Sequence, residues 1–73
     1  MRFAAVLLLL LLNLNTATVK ELETLPGVGP VLANRIVEFR EKRGKFRRSE
    51  DLLAISGISE KKWKAIRELV EVK

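Results

Sequence analysis

A chain of 73 residues, 48% hydrophobic and 32% charged, has room for one small packed domain and no second one, and is too apolar to stay disordered. It has no cysteine to brace the core by a disulfide and no histidine, so the commonest catalytic bases, nucleophiles and zinc ligands are missing. A net charge of +5 favours polyanionic partners, nucleic acid ahead of acidic membrane surfaces.

Behind Met1 and Arg2 runs an unbroken apolar stretch over residues 3–12. As a helix it spans about 15 Å, half of a hydrocarbon core of about 30 Å, and is too short to cross a bilayer alone. It fits the apolar region of a secretory signal, although no A-x-A cleavage pattern follows. Residues 1–14 are therefore expected to form a signal-like or membrane-associating leader, and residues 15–73 the folded domain. The protein is then expected outside the cytoplasm or at a membrane, with residues 3–12 making that association. The alternative is an apolar tail folded onto the domain.

The domain opens at Thr18, whose hydroxyl can cap a first helix while Glu21 reaches back to complete a capping box; residues 19–24 are the expected span. Leu22 and Leu25 sit at helical spacing ahead of the turn Leu25-Pro26-Gly27-Val28-Gly29-Pro30. Gly27 can take a positive φ, Gly29 leaves its amide open to close approach, and Pro30 fits the first position of a second helix. Leu32, Ala33, Ile36 and Val37 give that helix its apolar face. It should run over residues 30–43 and stop at Gly44, with Arg40, Lys42 and Arg43 in its last turn and Glu38 and Lys42 paired four residues apart. Outward amides at such a turn, at the positive end of a helix dipole, can bind a phosphate without any side chain.

Ser49 is expected to cap a third helix with Glu50 and Asp51 in its first turn and Leu52, Leu53 and Ile55 on its buried side. A second turn follows, Ser56-Gly57-Ile58-Ser59, and a last helix over residues 60–70. Shifted by 30 positions, Leu22, Leu25, Gly27, Val28, Ile36 and Phe39 meet Leu52, Ile55, Gly57, Ile58, Ile66 and Leu69. The chain is an internal repeat whose two copies bury faces that one copy could not bury alone. Phe46 and Trp63 are expected in the core rather than as stacking rings.

Basic residues cluster at two places. Lys61, Lys62 and Lys64 follow the second turn directly, whereas the first has no basic side chain before Arg35. The second hairpin therefore reads as the electrostatic half. Residues 40–48 carry Arg40, Arg43, Arg47 and Arg48, and two readings of that run stay open: a phosphate patch, or a solvated connector whose charges suit the helix dipole.

The first turn and its flanks also carry a family likeness. Leu22, Leu25, Gly27, Val28, Gly29, Ala33 and Ile36 fill the signature of helix-hairpin-helix proteins. Asn13-Leu14-Asn15-Thr16-Ala17-Thr18 and the stretch from Phe46 through Leu53 are similar to ComEA-type competence DNA receptors. The resemblance covers about residues 13–70, and it departs at the second hairpin, where Ser59 replaces a glycine and Trp63 a small or aliphatic residue. It implies an all-α fold, a compact tandem helix-hairpin-helix domain of four to five short helices. It also implies sequence-independent binding of double-stranded DNA through the phosphate backbone, in DNA uptake and beside uptake-machinery proteins. The residues placed at the DNA are Gly27, Val28, Gly29 and Val31 of the first hairpin and Gly57, Ile58 and Ser59 of the second. Lys61, Lys62, Lys64, Arg40, Arg43, Arg47 and Arg48 surround them. The same double hairpin also serves protein docking, which is the alternative role. No enzyme activity, cofactor or metal site is expected.

Overall fold

The computed structural model describes residues 11–73. The expected leader lies outside them as far as residue 10. In chain order the elements are a strand β1 (Leu12–Asn13), helix α1 (Val19–Leu22), helix α2 (Pro30–Arg43), a 3-10 helix (Ser49–Ala54), helix α3 (Glu60–Ile66), a second 3-10 helix (Arg67–Leu69) and a strand β2 (Val70–Glu71). The fold is the expected mostly helical one. To it a minimal parallel pairing is added, Leu12 opposite Val70 and Asn13 opposite Glu71.

The capping box at the start of α1 is complete: the Glu21 amide donates to Thr18 Oγ1 at 3.1 Å and the Thr18 amide to Glu21 Oε1 at 2.9 Å. The helix ends two residues early because the Thr24 and Leu25 amides reach back only three positions, to the carbonyls of Glu21 and Leu22. That tightening turns the chain into the hairpin. Helix α2 has the expected span, with Pro30 in its first turn and Gly44, at φ 99°, donating its amide to the Arg40 carbonyl. Glu38 and Lys42 pair at 3.5 Å.

Three local expectations are corrected. Ser49 caps nothing: Asp51 does, its carboxylate accepting the Arg47 and Arg48 amides at 2.9 and 3.2 Å, while Ser49 Oγ accepts the Trp63 indole N–H at 3.3 Å. The two amides hold the Asp51 carboxyl below its ordinary value. Leu53 is 40% exposed, because a 3-10 helix repeats every three residues and so aligns Leu52 with Ile55 and turns Leu53 outward. The last helix stops at Ile66 rather than residue 70, since pairing with β1 draws Val70 into an extended conformation.

The core follows the repeat. Leu22 and Leu52, Leu25 and Ile55, Val28 and Ile58, Ala33 and Trp63, and Ile36 and Ile66 are all buried, each pair 30 positions apart. Phe46 is fully buried as expected and stacks on Phe39 with ring centroids 4.8 Å apart. Leu14 is also fully buried, and its amide donates to the Glu71 carbonyl. Residues 12–14, assigned to the leader from sequence, are thus part of the packed unit.

Asn15 ties three distant segments together. Its Nδ2 donates to the carbonyls of Phe46 and Lys73 at 3.0 and 3.1 Å, and its Oδ1 accepts the Phe46 amide at 2.6 Å. Removing it leaves partly buried backbone groups without partners. Asn15→Ala is expected to destabilise the domain by about 1–3 kcal/mol in urea melts. Asn34→Ala, which removes one exposed bond to the Pro30 carbonyl, is expected to change it by less than about 0.5 kcal/mol. Equal effects of the two would contradict the role given to Asn15.

Candidate nucleic-acid interface

The two turns are closed by the same hydrogen bonds. The Leu25 and Val28 amides donate to the Leu22 and Leu25 carbonyls, both at 3.1 Å, and the Ile55 and Ile58 amides to the Leu52 and Ile55 carbonyls at 3.0 and 3.1 Å. Each following helix starts alike, Ala33 N–H to Gly29 O and Trp63 N–H to Ser59 O, both at 2.9 Å. Gly27 and Gly57 hold φ of 77° and 99°, where a side chain is disfavoured. Gly29 does not: its φ of −95° and ψ of −170° match the −82° and 168° of Ser59. Serine thus fits the position, and the second hairpin keeps the geometry of the first.

The amides of Gly27, Gly29, Gly57 and Ser59 donate to no protein acceptor among the described residues, and all four residues are exposed. Val28 and Ile58, expected at the DNA, are 4% and 5% exposed. Their side chains anchor the turns in the core, so only their backbone borders the outer surface. Val31 is 62% exposed just beyond the first turn.

The hairpins also reach across to each other. A Cβ built on Gly57 would meet Leu32 Cδ2 of α2 at 2.6 Å, and one built on Gly27 would meet Lys62 Cε of α3 at 3.3 Å and its Nζ at 3.7 Å. Arg35 Nη1 donates to the Ser56 carbonyl at 2.8 Å, so this α2 side chain serves the second hairpin. A shallow surface depression joins the two tips, lined by Pro26, Gly27, Ser59, Lys61, Lys62 and Ala65. Sequence reasoning found the lysines but missed this crossing, because positions 27 and 62 meet only through the repeat's pseudo-twofold packing.

The remaining basic residues divide. Lys61 and Lys64 are exposed, Lys62 is half-buried, and none of the three is in an ion pair among the described residues. Glu68, spaced to pair with Lys64, instead lies 3.8 Å from Arg67, whose guanidinium sits 5.1 Å from the Trp63 ring centre. In the connector, Arg40 donates to the Leu14 carbonyl at 3.0 Å, Arg43 lies over the Phe39 ring and Arg48 pairs with Asp51 at 3.5 Å. Arg47 is exposed, its amide alone engaged with Asp51.

Comparison with known proteins agrees with this geometry. The family described as helix-hairpin-helix motif matches residues 11–71. The chain is 44% identical over 63 residues to ComE operon protein 1 of Bacillus subtilis, covering 86% of this chain and 31% of that protein. It is 50% identical over 56 residues to endonuclease/exonuclease/phosphatase family domain-containing protein 1 of Danio rerio, covering 77% of this chain and 10% of that protein. An uncharacterized protein of Haemophilus influenzae is 48% identical over 48 residues, 64% of this chain and 43% of its own length. The chain spans less than half the length of each of these relatives.

The different demands on the two glycines are measurable with one substitution. Gly29→Ser introduces a Cβ with nothing within 4 Å and a hydroxyl placed to cap α2 as Ser59 caps α3. It is expected to leave stability unchanged or raise it by up to about 1 kcal/mol. Gly57→Ser meets both a positive φ and Leu32, and is expected to lose about 1–3 kcal/mol in urea melts read by Trp63 fluorescence.

Proposed function

Since the chain belongs to the helix-hairpin-helix family, we propose that it binds double-stranded DNA through the phosphate backbone without reading base sequence. One observation carries the proposal: two hairpins of matching backbone form present amides at Gly27 and Gly29 and at Gly57 and Ser59 that have no acceptor among the described residues. Backbone amides recognise phosphate oxygens, which are the same at every base pair. Residues 26–31 of the first tip contain no side chain able to hydrogen-bond a base edge. Lys61, Lys62 and Lys64 supply positive charge beside the second tip, partly offset by Glu60 at the head of α3. A binding module rather than an enzyme is the reading that follows, because the chain has neither histidine nor cysteine. Only a tenth of the vertebrate relative is covered, so its named domain carries nothing over to this chain.

With four to six phosphates engaged, log K should fall with log salt at a slope of about −4 to −5 on any duplex sequence. Titration of duplexes of unrelated sequence at several salt concentrations checks this, and a flat slope or no binding at low salt removes the DNA reading.

The likeness to ComE operon protein 1 and the apolar run of residues 3–12 support a place in DNA uptake, outside the cytoplasm or at a membrane, among uptake-machinery proteins. Among the described residues no helix is long and apolar enough to cross a membrane. Fused to a reporter, residues 1–12 are expected to carry it to the membrane fraction or out of the cytoplasm. A fully soluble cytoplasmic fusion contradicts the placement.

A further inference from the structure

Helix α2 brings no free cation to the start of the first hairpin's second arm. Where α3 carries Lys61, Lys62 and Lys64, the positions 30 residues earlier on α2 hold Val31, Leu32 and Asn34. Arg35, the first basic residue of α2, is turned toward the other hairpin and held on the Ser56 carbonyl at 2.8 Å. A phosphate seated on the Gly27 and Gly29 amides would therefore meet uncharged side chains from the first turn of α2.

The packing places a charge there from the other repeat. Lys62 and Leu32 occupy equivalent positions, each laid over the positive-φ glycine of the opposite hairpin: Leu32 over Gly57, and Lys62 over Gly27. Leu32 fills that position with apolar carbon alone. Lys62 fills its position with the carbons of its stem, Cε lying 3.3 Å from where a Gly27 Cβ would stand, while Nζ lies 3.7 Å away beside the tip. The residue is half-buried, its stem packed over Gly27, and it lines the depression that joins the two tips. Among the described residues no carboxylate pairs with it.

We infer that Lys62 is the phosphate-binding cation of the first hairpin, supplied in trans by the second repeat. This rests on the phosphate-binding reading above and assigns one of its charges to a particular site. Lys61 and Lys64 remain with the second hairpin. The two hairpins then form one composite grip, in which the amides of the first tip and the ammonium of the second helix close on a single phosphate. Neither half retains that site if the packing between the repeats is lost.

A double-substitution cycle on the full chain, with a 20-base-pair duplex as probe, tests the assignment. Gly29→Val blocks the first tip with a residue that its φ of −95° accepts and whose Cβ has open space around it. In the parent background Lys62→Gln is expected to lower the salt slope by about one unit, the share of one phosphate contact. In the Gly29→Val background it is expected to lower it by less than half as much. Lys61→Gln should act equally in both backgrounds. If Lys62→Gln also acts equally in both, Lys62 does not serve the first hairpin and the inference fails while duplex binding stands. If the parent chain does not bind duplex at low salt, both this inference and the phosphate reading fail. Amide spectra decide the case in which Gly29→Val unfolds. In Lys62→Gln alone, duplex-induced shifts at Gly27 and Gly29 should shrink while those at Gly57 and Ser59 persist. The reverse pattern overturns the assignment.

Discussion

Each repeat of this chain rests its hairpin glycine beneath a side chain of the other, and that reciprocal contact fixes the rest of the structure. A Cβ on Gly57 would stand 2.6 Å from Leu32 Cδ2 and force that side chain to shift, and Gly27 lies under the stem of Lys62. Those glycines must also hold φ of 77° and 99°, so one residue type satisfies a torsional and a steric demand together. The apolar side chains behind the turns, Val28 and Ile58, can then point inward and join a shared core. A small domain without disulfides needs such economy, since a single core of this size supplies only a few kcal/mol of net stability.

The same contact sorts the basic residues into structural and available ones. Arg35 on Ser56 and Arg40 on Leu14 fasten one segment to another, while Arg48 pairs locally with Asp51, and each satisfies a carbonyl or carboxylate that the fold would otherwise leave to water. Their charges still add to the positive field, but their hydrogen-bonding groups are already partly engaged. Lys61 and Lys64 face solvent with nothing of opposite sign paired to them among the described residues. Those two lysines place unengaged positive charge beside the second hairpin tip.

Local chemistry was legible in the sequence, and contacts made across the chain were not. The Thr18–Glu21 capping box, Pro30 at the head of α2 and Gly44 at its end depend on neighbours within four residues, and each appears where the sequence places it. The repeat was legible too, since its 30-residue shift aligns the buried pairs directly. Ser49 was misread because serine before two acidic residues is an ordinary cap signal, whereas Asp51 takes that role and Ser49 turns to Trp63. Val70 left its expected helix for a strand whose partner, Leu12, stands at the other end of the chain. Asn15 bridging to Lys73 across 58 positions carries no signal in local pattern at all. For the site, the glycines and lysines were evident, but the crossing of Lys62 to the first tip exists only once the repeats are packed.

The departures from perfect repetition fall into a physical pattern. Helix α2 has 14 residues and places Ala33 and Ile36 in the core with Val37 and Phe39 half-buried against it, while α3 has only seven and must fill its share from Trp63 and Ile66. An indole in place of the Ala33 methyl supplies the missing volume, with its N–H satisfied by Ser49 and one face covered by Arg67. Positions 61 and 64 of α3 face solvent as Val31 and Asn34 do on α2, so they carry no packing duty in either repeat. Lysine can then stand at 61 and 64, and at 62 a side chain whose stem packs and whose end is charged. The tryptophan that departs from the family pattern thus answers the shortness of α3, while Lys61 and Lys64 use positions that face solvent in both repeats.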